Sequence, residues 1–388
     1  MIYLDHASTT AVDPRVAKKM LPYFSDKFGN PSSLHSVGRK AKQAIEDARR
    51  KIAKFLNCAT GEITFTNGGT ESINMAILGV AHAAKSQNKF KKPRIIITAI
   101  EHHAVLHSCD KLISEGFEVY KLPVDQDGFV NLNELKKALN NETILVSVMY
   151  ANNEIGTIEP ISKISKIIKE FNKKNKTKII FHSDACQAAG YLDMNVKALG
   201  VDLLSFNGSK IYGPKGIGVL YKEKNIELEP IIFGGGQERN LRSGTENVPA
   251  IVGLGFAVEL ISREESEKIV KLRDFLIKKL LEIEGAVLNG PIKDRLANNV
   301  NVSFAGVEGE SMVLYLDRAG ICCSTGSACS SSSLKPSHVI TALGHDGGRA
   351  HESIRFTLGR KTGKKELERT VCAVRVAVEK LRRISALK

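Results

Sequence analysis

The chain has 388 residues, of which 43% are hydrophobic, and carries a formal net charge of +14. This composition is ordinary for a globular protein and is long enough for one large and one small domain. No apolar run approaches the roughly 18 residues of a membrane span and the start, MIYLDH, matches no targeting signal, so we expect a cytosolic protein without membrane contact.

The excess positive charge is not arranged as in nucleic-acid-binding proteins. The lysines are spread along the chain, with only modest clusters at 89–92 and 173–178, and no nucleic-acid-binding motif is recognisable. We therefore expect a solvated basic surface and no direct nucleic-acid binding. The charge is compatible with an acidic partner protein or with anionic substrates.

From residue 62 to residue 221, short β-rich apolar runs alternate with amphipathic segments. The runs are EITFT, RIIITA, EVYKLP, TILVSVM, KIIFHSD, DLLSF and GIGVLY. The intervening pieces, such as 72–85 and 104–114, carry apolar residues at helical spacing. This alternation predicts an α/β domain built on a largely parallel sheet.

Beyond residue 256 the pattern changes. One long, charged amphipathic helix is predicted over 257–285, followed by weaker strands and a final helix. The change predicts a second, smaller α+β domain. We assign residues 15–255 to the large domain, and residues 1–14 with 256–388 to the small domain, which carries a cysteine-rich segment at about 322–334.

Polar residues that can carry chemistry follow the predicted strands, and ligands bind beyond the carboxyl ends of strands in an open parallel sheet. After EITFT comes the glycine turn NGGTES, where free backbone N–H groups and the helix dipole suit a phosphate. His102, Asn153 and Asp184 follow three further strands. One such residue is more often structural, but their repetition at successive strand ends indicates a site.

Lys210 lies just past the strand DLLSF, among glycines, in SFNGSKIYGPKGIG. Its position alone fits either a turn lysine that points to water or a lysine that forms a Schiff base. Asp184, at a neighbouring strand end, favours the second, because a buried carboxylate keeps the ring nitrogen of pyridoxal phosphate protonated. The phosphate turn, an imidazole, Asp184 and Lys210 together predict a pyridoxal phosphate (PLP) site.

The seven cysteines are odd in number and irregularly spaced, so we expect reduced thiols. Three of them lie in CCSTGSACSSSS, where small polar neighbours are typical of an exposed or mobile loop. An alternative is an iron–sulfur or metal-binding protein that uses Cys322, Cys323 and Cys329. Their spacing does not match familiar ligand patterns, so no metal site is predicted.

Segments spread over essentially the whole chain carry a further pattern: YLDHASTT, NGGTES, EHHAV, NNEIGT, SDACQAAG, NGSKIYGPKGIG, GGGQERNLRSGTEN, STGSACSS and ESIRFTLGR. Together they resemble the cysteine desulfurase family, in the subgroup with the long active-cysteine loop. The resemblance implies the fold-type I architecture of PLP enzymes and a homodimer with active sites at the subunit interface. It also implies that sulfur leaves L-cysteine as an enzyme persulfide, that L-alanine remains, and that the sulfur passes to an iron–sulfur scaffold or a thiolation protein.

The resemblance assigns roles to individual residues. Lys210 matches the catalytic lysine that binds the PLP aldehyde, Asp184 the partner of the ring nitrogen, and His102 the catalytic imidazole that stacks on the ring and moves protons. Cys329, in the segment TGSAC, matches the nucleophile that receives the sulfur. The remaining matches are cofactor and substrate ligands: Gln187 and Asn153 at the phenolic oxygen; Gly69, Thr70, Asn207 and Ser209 at the phosphate; Thr245 at the phosphate of the opposite subunit; and Arg355, with Asn153, at the substrate carboxylate.

The sequence departs from the family pattern in three places. Asn207 and Ser209 replace a serine and a histidine that usually bind the phosphate, and Ser209 supplies no cation, so weaker cofactor retention is expected. His6 stands where a tyrosine is common. The tail, KLRRISALK, lacks an extension that some members use to hold a scaffold, which leaves scaffold docking open. Among PLP enzymes, an aminotransferase, which needs no loop cysteine, and a selenocysteine lyase also stay open.

Overall fold

The structure is a computed structural model that describes residues 1–87, 89–326, 336–345 and 347–384. Its strands are β1 Ile2–Tyr3, β2 Ile63–Thr66, β3 Arg94–Thr98, β4 Glu118–Leu122, β5 Thr143–Ser147, β6 Ile180–Asp184, β7 Leu203–Asn207, β8 Gly218–Lys222, β9 Ala286–Leu288, β10 Asn299–Phe304, β11 Ile321–Cys322 and β12 Ser353–Thr357. Its helices are α1 Pro14–Met20, α2 Ser36–Leu56, α3 Gly69–Ser86, α4 His103–Ser114, α5 Leu132–Ala138, α6 Ile161–Asn175, α7 Val196–Leu199, α8 Val248–Ala257, α9 Arg263–Leu280, α10 Gly309–Arg318, α11 His338–Ala342, α12 Gly347–His351 and α13 Lys364–Ile384.

The central sheet has seven strands in the order β2-β8-β7-β6-β5-β3-β4. The strands from β3 to β7 pair in parallel, whereas β8 pairs antiparallel with both β2 and β7. Each predicted apolar run forms one of these strands, so the α/β fold with a mostly parallel sheet is confirmed. The carboxyl ends of β5, β6 and β7 lie side by side at one edge of the sheet.

The central parallel strands β3 and β5 are mostly apolar because helices cover both faces of the sheet. Successive side chains of a strand point to opposite faces. Ile96 packs in a core with residues of α2 and α6, whereas its neighbours Ile95 and Ile97 pack in a second core with residues of α3 and α4. Packing in these two cores fixes the helices that begin at the carboxyl edge of the sheet. These helices border the site.

A second group of elements packs around a three-stranded antiparallel sheet in the order β12-β10-β9. Helices α9, α10 and α13 contribute its core, which is separate from the cores of the central sheet. β1 pairs in parallel with β11, and this pairing brings Ile2 and Leu4 into the same core. The chain's first residues are thereby held beside residues more than 300 positions later. The proposed domain boundaries stay a prediction.

The predicted single helix over 257–285 is wrong. α8 ends at Ala257 and α9 begins at Arg263, and the backbone at Ile261 and Ser262 between them is extended. Ser262 Oγ accepts a hydrogen bond of 3.3 Å from the backbone N–H of Glu265, so the serine starts a new helix. None of the helices in the described ranges has the length and apolar character needed to cross a membrane.

A buried ion pair fixes the long connection between β8 and α8. Arg49 donates from Nη1 and Nη2 to the carboxylate of Glu238, at 2.9 and 2.7 Å, and the backbone N–H of Phe65 donates to the same carboxylate at 2.8 Å. Residues 238–240 have φ between 47° and 67°, a left-handed conformation that only surrounding contacts can hold. The connection that carries Thr245 is therefore anchored to α2.

Candidate active site

The carboxyl edge of the central sheet borders a cavity of about 700 Å³. A cavity of this size suits a small-molecule ligand. The predicted site residues that line it are Gly69, Thr70, His102, Asn153, Asp184, Gln187, Asn207, Ser209, Lys210 and Arg355. Thr245 is exposed and lies outside the lining, and Cys329 lies outside the described residues. The structure thus brings together every predicted site residue that it describes except Thr245.

The amino end of α3 forms one end of the cavity. Gly68, directly before α3, has φ of 149°, which residues with a side chain rarely adopt. A Cβ atom on Gly69 would lie 2.6 Å from Cys186 Sγ and 3.1 Å from Asn207 Nδ2, so the helix approaches β6 and β7 only because this residue is glycine. The positive end of the helix dipole faces this space. Asn207 Oδ1 is buried there without a hydrogen-bond partner among the described residues.

Asp184 and His102 line the middle of the cavity, each at a strand end. Asp184 is 5% exposed, and its Oδ1 accepts a hydrogen bond of 2.9 Å from the backbone N–H of Cys186. His102 caps α4, because its Nδ1 accepts from the backbone N–H of Ala104 at 3.1 Å. Because Nδ1 accepts this hydrogen bond, the ring proton of a neutral imidazole lies on Nε2.

Lys210 lies on the turn after β7, and its amine reaches the N-terminal segment. Nζ donates to the carbonyl oxygens of Ala7 at 2.8 Å and Ser8 at 2.5 Å. Gln187 Nε2 donates to the same Ala7 oxygen at 2.9 Å. The main chain of this segment therefore orients the lysine, a role that the motif YLDHASTT did not reveal in the sequence.

Arg355 lies on β12 and is 2% exposed. Its Nη2 donates to Asp5 Oδ1 at 3.0 Å and to Ser8 Oγ at 2.9 Å, while its Nη1 donates to the carbonyl oxygen of Asn153 at 3.0 Å. Its Nε is buried and has no partner among the described residues. The guanidinium is thus held in place by its terminal nitrogens at the lining of the cavity. Sequence reasoning missed Asp5 and Ser8, whose only signal is their place in a polar N-terminal motif.

Burial sets the protonation of three groups around the site. It raises the pKa of Glu101 to about 8, so this carboxyl is mostly neutral at pH 7 and adds little negative charge beside Asp184. It raises the pKa of the Cys186 thiol well above its usual range and that of Cys323 to about 12. Neither thiol supplies a thiolate at neutral pH.

Residues 2–370 match the family described as Aminotransferase class-V. The chain is 52% identical over 391 residues to the cysteine desulfurase IscS of Dictyoglomus turgidum, a match that covers 100% of this chain and 97% of that protein. A solved NifS-like protein superposes with a TM-score of 0.87 at 38% identity, covering 99% of this chain and 98% of the other. A structure described as SspA in complex with cysteine has a TM-score of 0.81 at 37% identity, with 92% and 99% of the two chains covered.

Proposed function

We propose that this protein removes sulfur from L-cysteine in the cavity, with PLP as its cofactor. The chain belongs to the class-V aminotransferase family and, within that family, to the cysteine desulfurases. One observation carries the assignment of the site. Lys210, Asp184, Arg355 and the amino end of α3 line a single cavity.

The residues present fit PLP. The amino end of α3, where only glycine fits at residue 69, together with the buried amide of Asn207, suits the phosphate, and Thr70 and Ser209 would complete its ligands. Asp184 would hold the ring nitrogen, Gln187 and Asn153 the phenolic oxygen, and Lys210 the aldehyde. When bound, PLP supplies an electron sink for negative charge at the substrate Cα.

Two residues of this chain act on the substrate's α-amino-acid unit in the proposal. Arg355 binds the carboxylate, with its plane fixed by Asp5, Ser8 and the carbonyl of Asn153. Lys210 Nζ, oriented by the carbonyl oxygens of the N-terminal segment, removes the proton from Cα.

Cys329 takes the sulfur. A new S–S bond forms between Cys329 Sγ and the substrate sulfur as the substrate Cβ–S bond breaks. The electron pair of the broken bond stays with Cβ, which takes up a proton from solvent, Lys210 Nζ returns the proton to Cα, and L-alanine leaves. The thiols of Cys186 and Cys323 do not compete for this role, because desolvation raises the pKa of both and keeps them protonated.

We extend the proposal to a homodimer. Large apolar side chains between residues 21 and 34 are 64–90% exposed, and Phe233 is 81% exposed. Exposed apolar surface of this kind marks protein interfaces. Thr245 lies outside the cavity of its own chain. This position suits a residue that binds the phosphate in the opposite subunit.

The sulfur acceptor in the proposal is a protein, such as an iron–sulfur scaffold, in the cytoplasm. The net charge of +14 favours an acidic partner. Every cysteine in the described ranges is a free thiol, as is usual in a reducing compartment.

Purified enzyme loaded with PLP should convert L-cysteine to equal amounts of L-alanine and transferable sulfur. Alanine is measured by amino-acid analysis, and sulfur is measured as sulfide after reduction with dithiothreitol. An aminotransferase would instead yield the keto acid of cysteine. Keto acid without alanine would therefore contradict the proposal.

Arg355→Lys should raise the KM for L-cysteine by about 10- to 100-fold with a smaller change in kcat. Lysine keeps the charge but loses the planar fork that binds a carboxylate at two points. Arg360→Lys is the matched control, since Arg360 is also largely buried but pairs with Asp13 and Glu265 away from the cavity lining. Steady-state kinetics of both variants test the assignment, and equal KM values would count against it.

A further inference from the structure

Glu101 lies behind the cavity lining, directly before His102 in the turn between β3 and α4. It is 0% exposed. Its Oε1 accepts two hydrogen bonds of 2.8 Å, one from Thr98 Oγ1 at the end of β3 and one from the backbone N–H of Met149, just after β5. Its carbonyl oxygen accepts another, of 2.9 Å, from His338 Nε2. Glu101 therefore joins the carboxyl ends of two neighbouring strands.

The residues next to these hydrogen bonds reach the cavity. His102 and Met149 both line it. His102 is also held from its other side, because its Nδ1 accepts from the backbone N–H of Ala104 and caps α4. The position of the imidazole thus depends on where the carboxyl group of Glu101 fixes the turn.

The two carboxyl oxygens of Glu101 have unequal surroundings. Oε1 has both donors, whereas Oε2 is buried and has no hydrogen-bond partner among the described residues. The titratable groups that face Glu101 are Asp184 on β6, Glu159 after β5, Cys109 on α4 and, at its carbonyl oxygen, His338 on α11. Two of these groups are carboxyls, which oppose a further negative charge.

This geometry suits an uncharged carboxylic acid. If Glu101 were ionised, it would bury a charged oxygen without a partner, which costs far more than burying an O–H group without one. In the neutral acid, Oε1 is the carbonyl oxygen that accepts from both donors, and Oε2 carries the proton. Desolvation, helped by Asp184 and Glu159, raises the pKa of Glu101 to about 8.

We propose that Glu101 is a positioning residue for His102 and that it acts as an uncharged carboxylic acid. In this form it ties β3 to β5 and keeps the imidazole at the cavity wall. A buried charge at Glu101 draws the side chain toward water or water toward the side chain, and either movement shifts the turn that carries His102. The inference deepens the proposed function and rests on it, because it assigns a supporting residue to the same site.

Glu101→Ala should lower kcat for L-cysteine about tenfold at pH 7, because it removes the acceptor that holds both strand ends. Glu101→Gln should stay within about twofold, since glutamine keeps the carbonyl oxygen and cannot ionise. Between pH 7 and pH 9, wild type should lose up to about tenfold relative to Glu101→Gln, because about nine-tenths of a group with a pKa of about 8 is then ionised. Thr98→Val removes a donor that favours the ionised form, so it should move this decline to higher pH.

Glu159→Gln is the matched control for these pH profiles. Glu159 is 2% exposed and burial raises its pKa to about 8, but its Oε2 accepts from the backbone N–H of Val130, away from the cavity lining. Turnover of Glu159→Gln relative to wild type should be the same at pH 7 and pH 9. This comparison separates the positioning of His102 from the general effect of a buried carboxyl.

Thermal melts give a second readout that needs no turnover. A buried carboxyl with a raised pKa makes the folded state less stable as the pH rises from its unfolded pKa, about 4.3, to its folded pKa, about 8, because only the unfolded chain releases the proton there. The Tm of Glu101→Gln, relative to wild type, should therefore rise between pH 5 and pH 8. Glu159→Gln should show a similar rise.

Three results would overturn the inference: a pH profile of Glu101→Gln that superimposes on wild type, a Tm difference between these two proteins that is constant from pH 5 to pH 8, or loss of activity in Glu101→Gln at pH 7. If Glu101→Ala does not fold, the profile of Glu101→Gln decides. A wild-type enzyme that forms no alanine would instead refute the proposed function, and the melts would still report the charge of Glu101.

Discussion

Lys210→Ala should lose nearly all conversion of L-cysteine, with kcat at least about 10³-fold lower than in wild type. The substitution removes both the amine that binds the cofactor and the base at the substrate Cα. The phosphate site at α3 and the carboxylate site at Arg355 stay intact, so the variant should still take up PLP without a covalent link. Borohydride reduction followed by peptide mass analysis should place the cofactor on Lys210 in wild type and on no residue in the variant.

Lys222→Ala is the control for loss of a lysine. Lys222 ends β8, which runs antiparallel to its neighbours, so it lies at the opposite edge of the sheet from the cavity. Its Nζ donates to the carbonyl oxygen of Ile226 at 2.8 Å. Its turnover should be close to wild type. Retention of a tenth of the activity by Lys210→Ala would show that another group acts as the base.

Cys329→Ala should release sulfide at about a hundredth of the wild-type rate or less, yet keep the cofactor colour and the spectral response to L-cysteine. The groups that bind cofactor and substrate are unchanged, whereas the acceptor of the sulfur atom is gone. Cys186 lines the cavity but cannot replace it, because burial raises its pKa well above neutrality. Sulfide release in the presence of dithiothreitol and the absorption spectrum give the two readouts.

Cys372→Ala is the matched control for this second variant. Cys372 is an exposed free thiol on α13, away from the cavity lining. It should release sulfide at the wild-type rate. A Cys329→Ala enzyme that matches this control would remove the reason for assigning Cys329 as the nucleophile.

The strands and their site residues were predictable because both leave local patterns. A strand covered by helices on both faces is mostly apolar, and a polar residue at its carboxyl end, such as Asp184, lies at the carboxyl edge of the sheet. The helix boundary at Ser262 was missed because apolar periodicity continues across it, while the hydrogen bond to Glu265 decides the structure.

Long-range contacts account for the rest. Asp5 and Ser8 reach Arg355 because the N-terminal segment pairs with β11 and with Thr357 of β12, more than 300 residues later. Glu154 and Ser337 are 183 positions apart in the sequence, so no local pattern predicts the hydrogen bond between them. Thr245 does not line the cavity of its own chain. Its role and that of Cys329 stay predictions.

The N-terminal segment from Asp5 to Ser8 holds Arg355 and Lys210 at once. Asp5 and Ser8 fix the guanidinium of Arg355, while the carbonyls of Ala7 and Ser8 hold the amine of Lys210. Four consecutive residues therefore set the distance between the guanidinium of Arg355 and the amine of Lys210. In the proposed function, this segment therefore fits the part of the molecule that all α-amino acids share and does not distinguish their side chains. Selection for cysteine then depends on the chemical step, because only a substrate with a chalcogen atom on Cβ can transfer that atom to a thiolate.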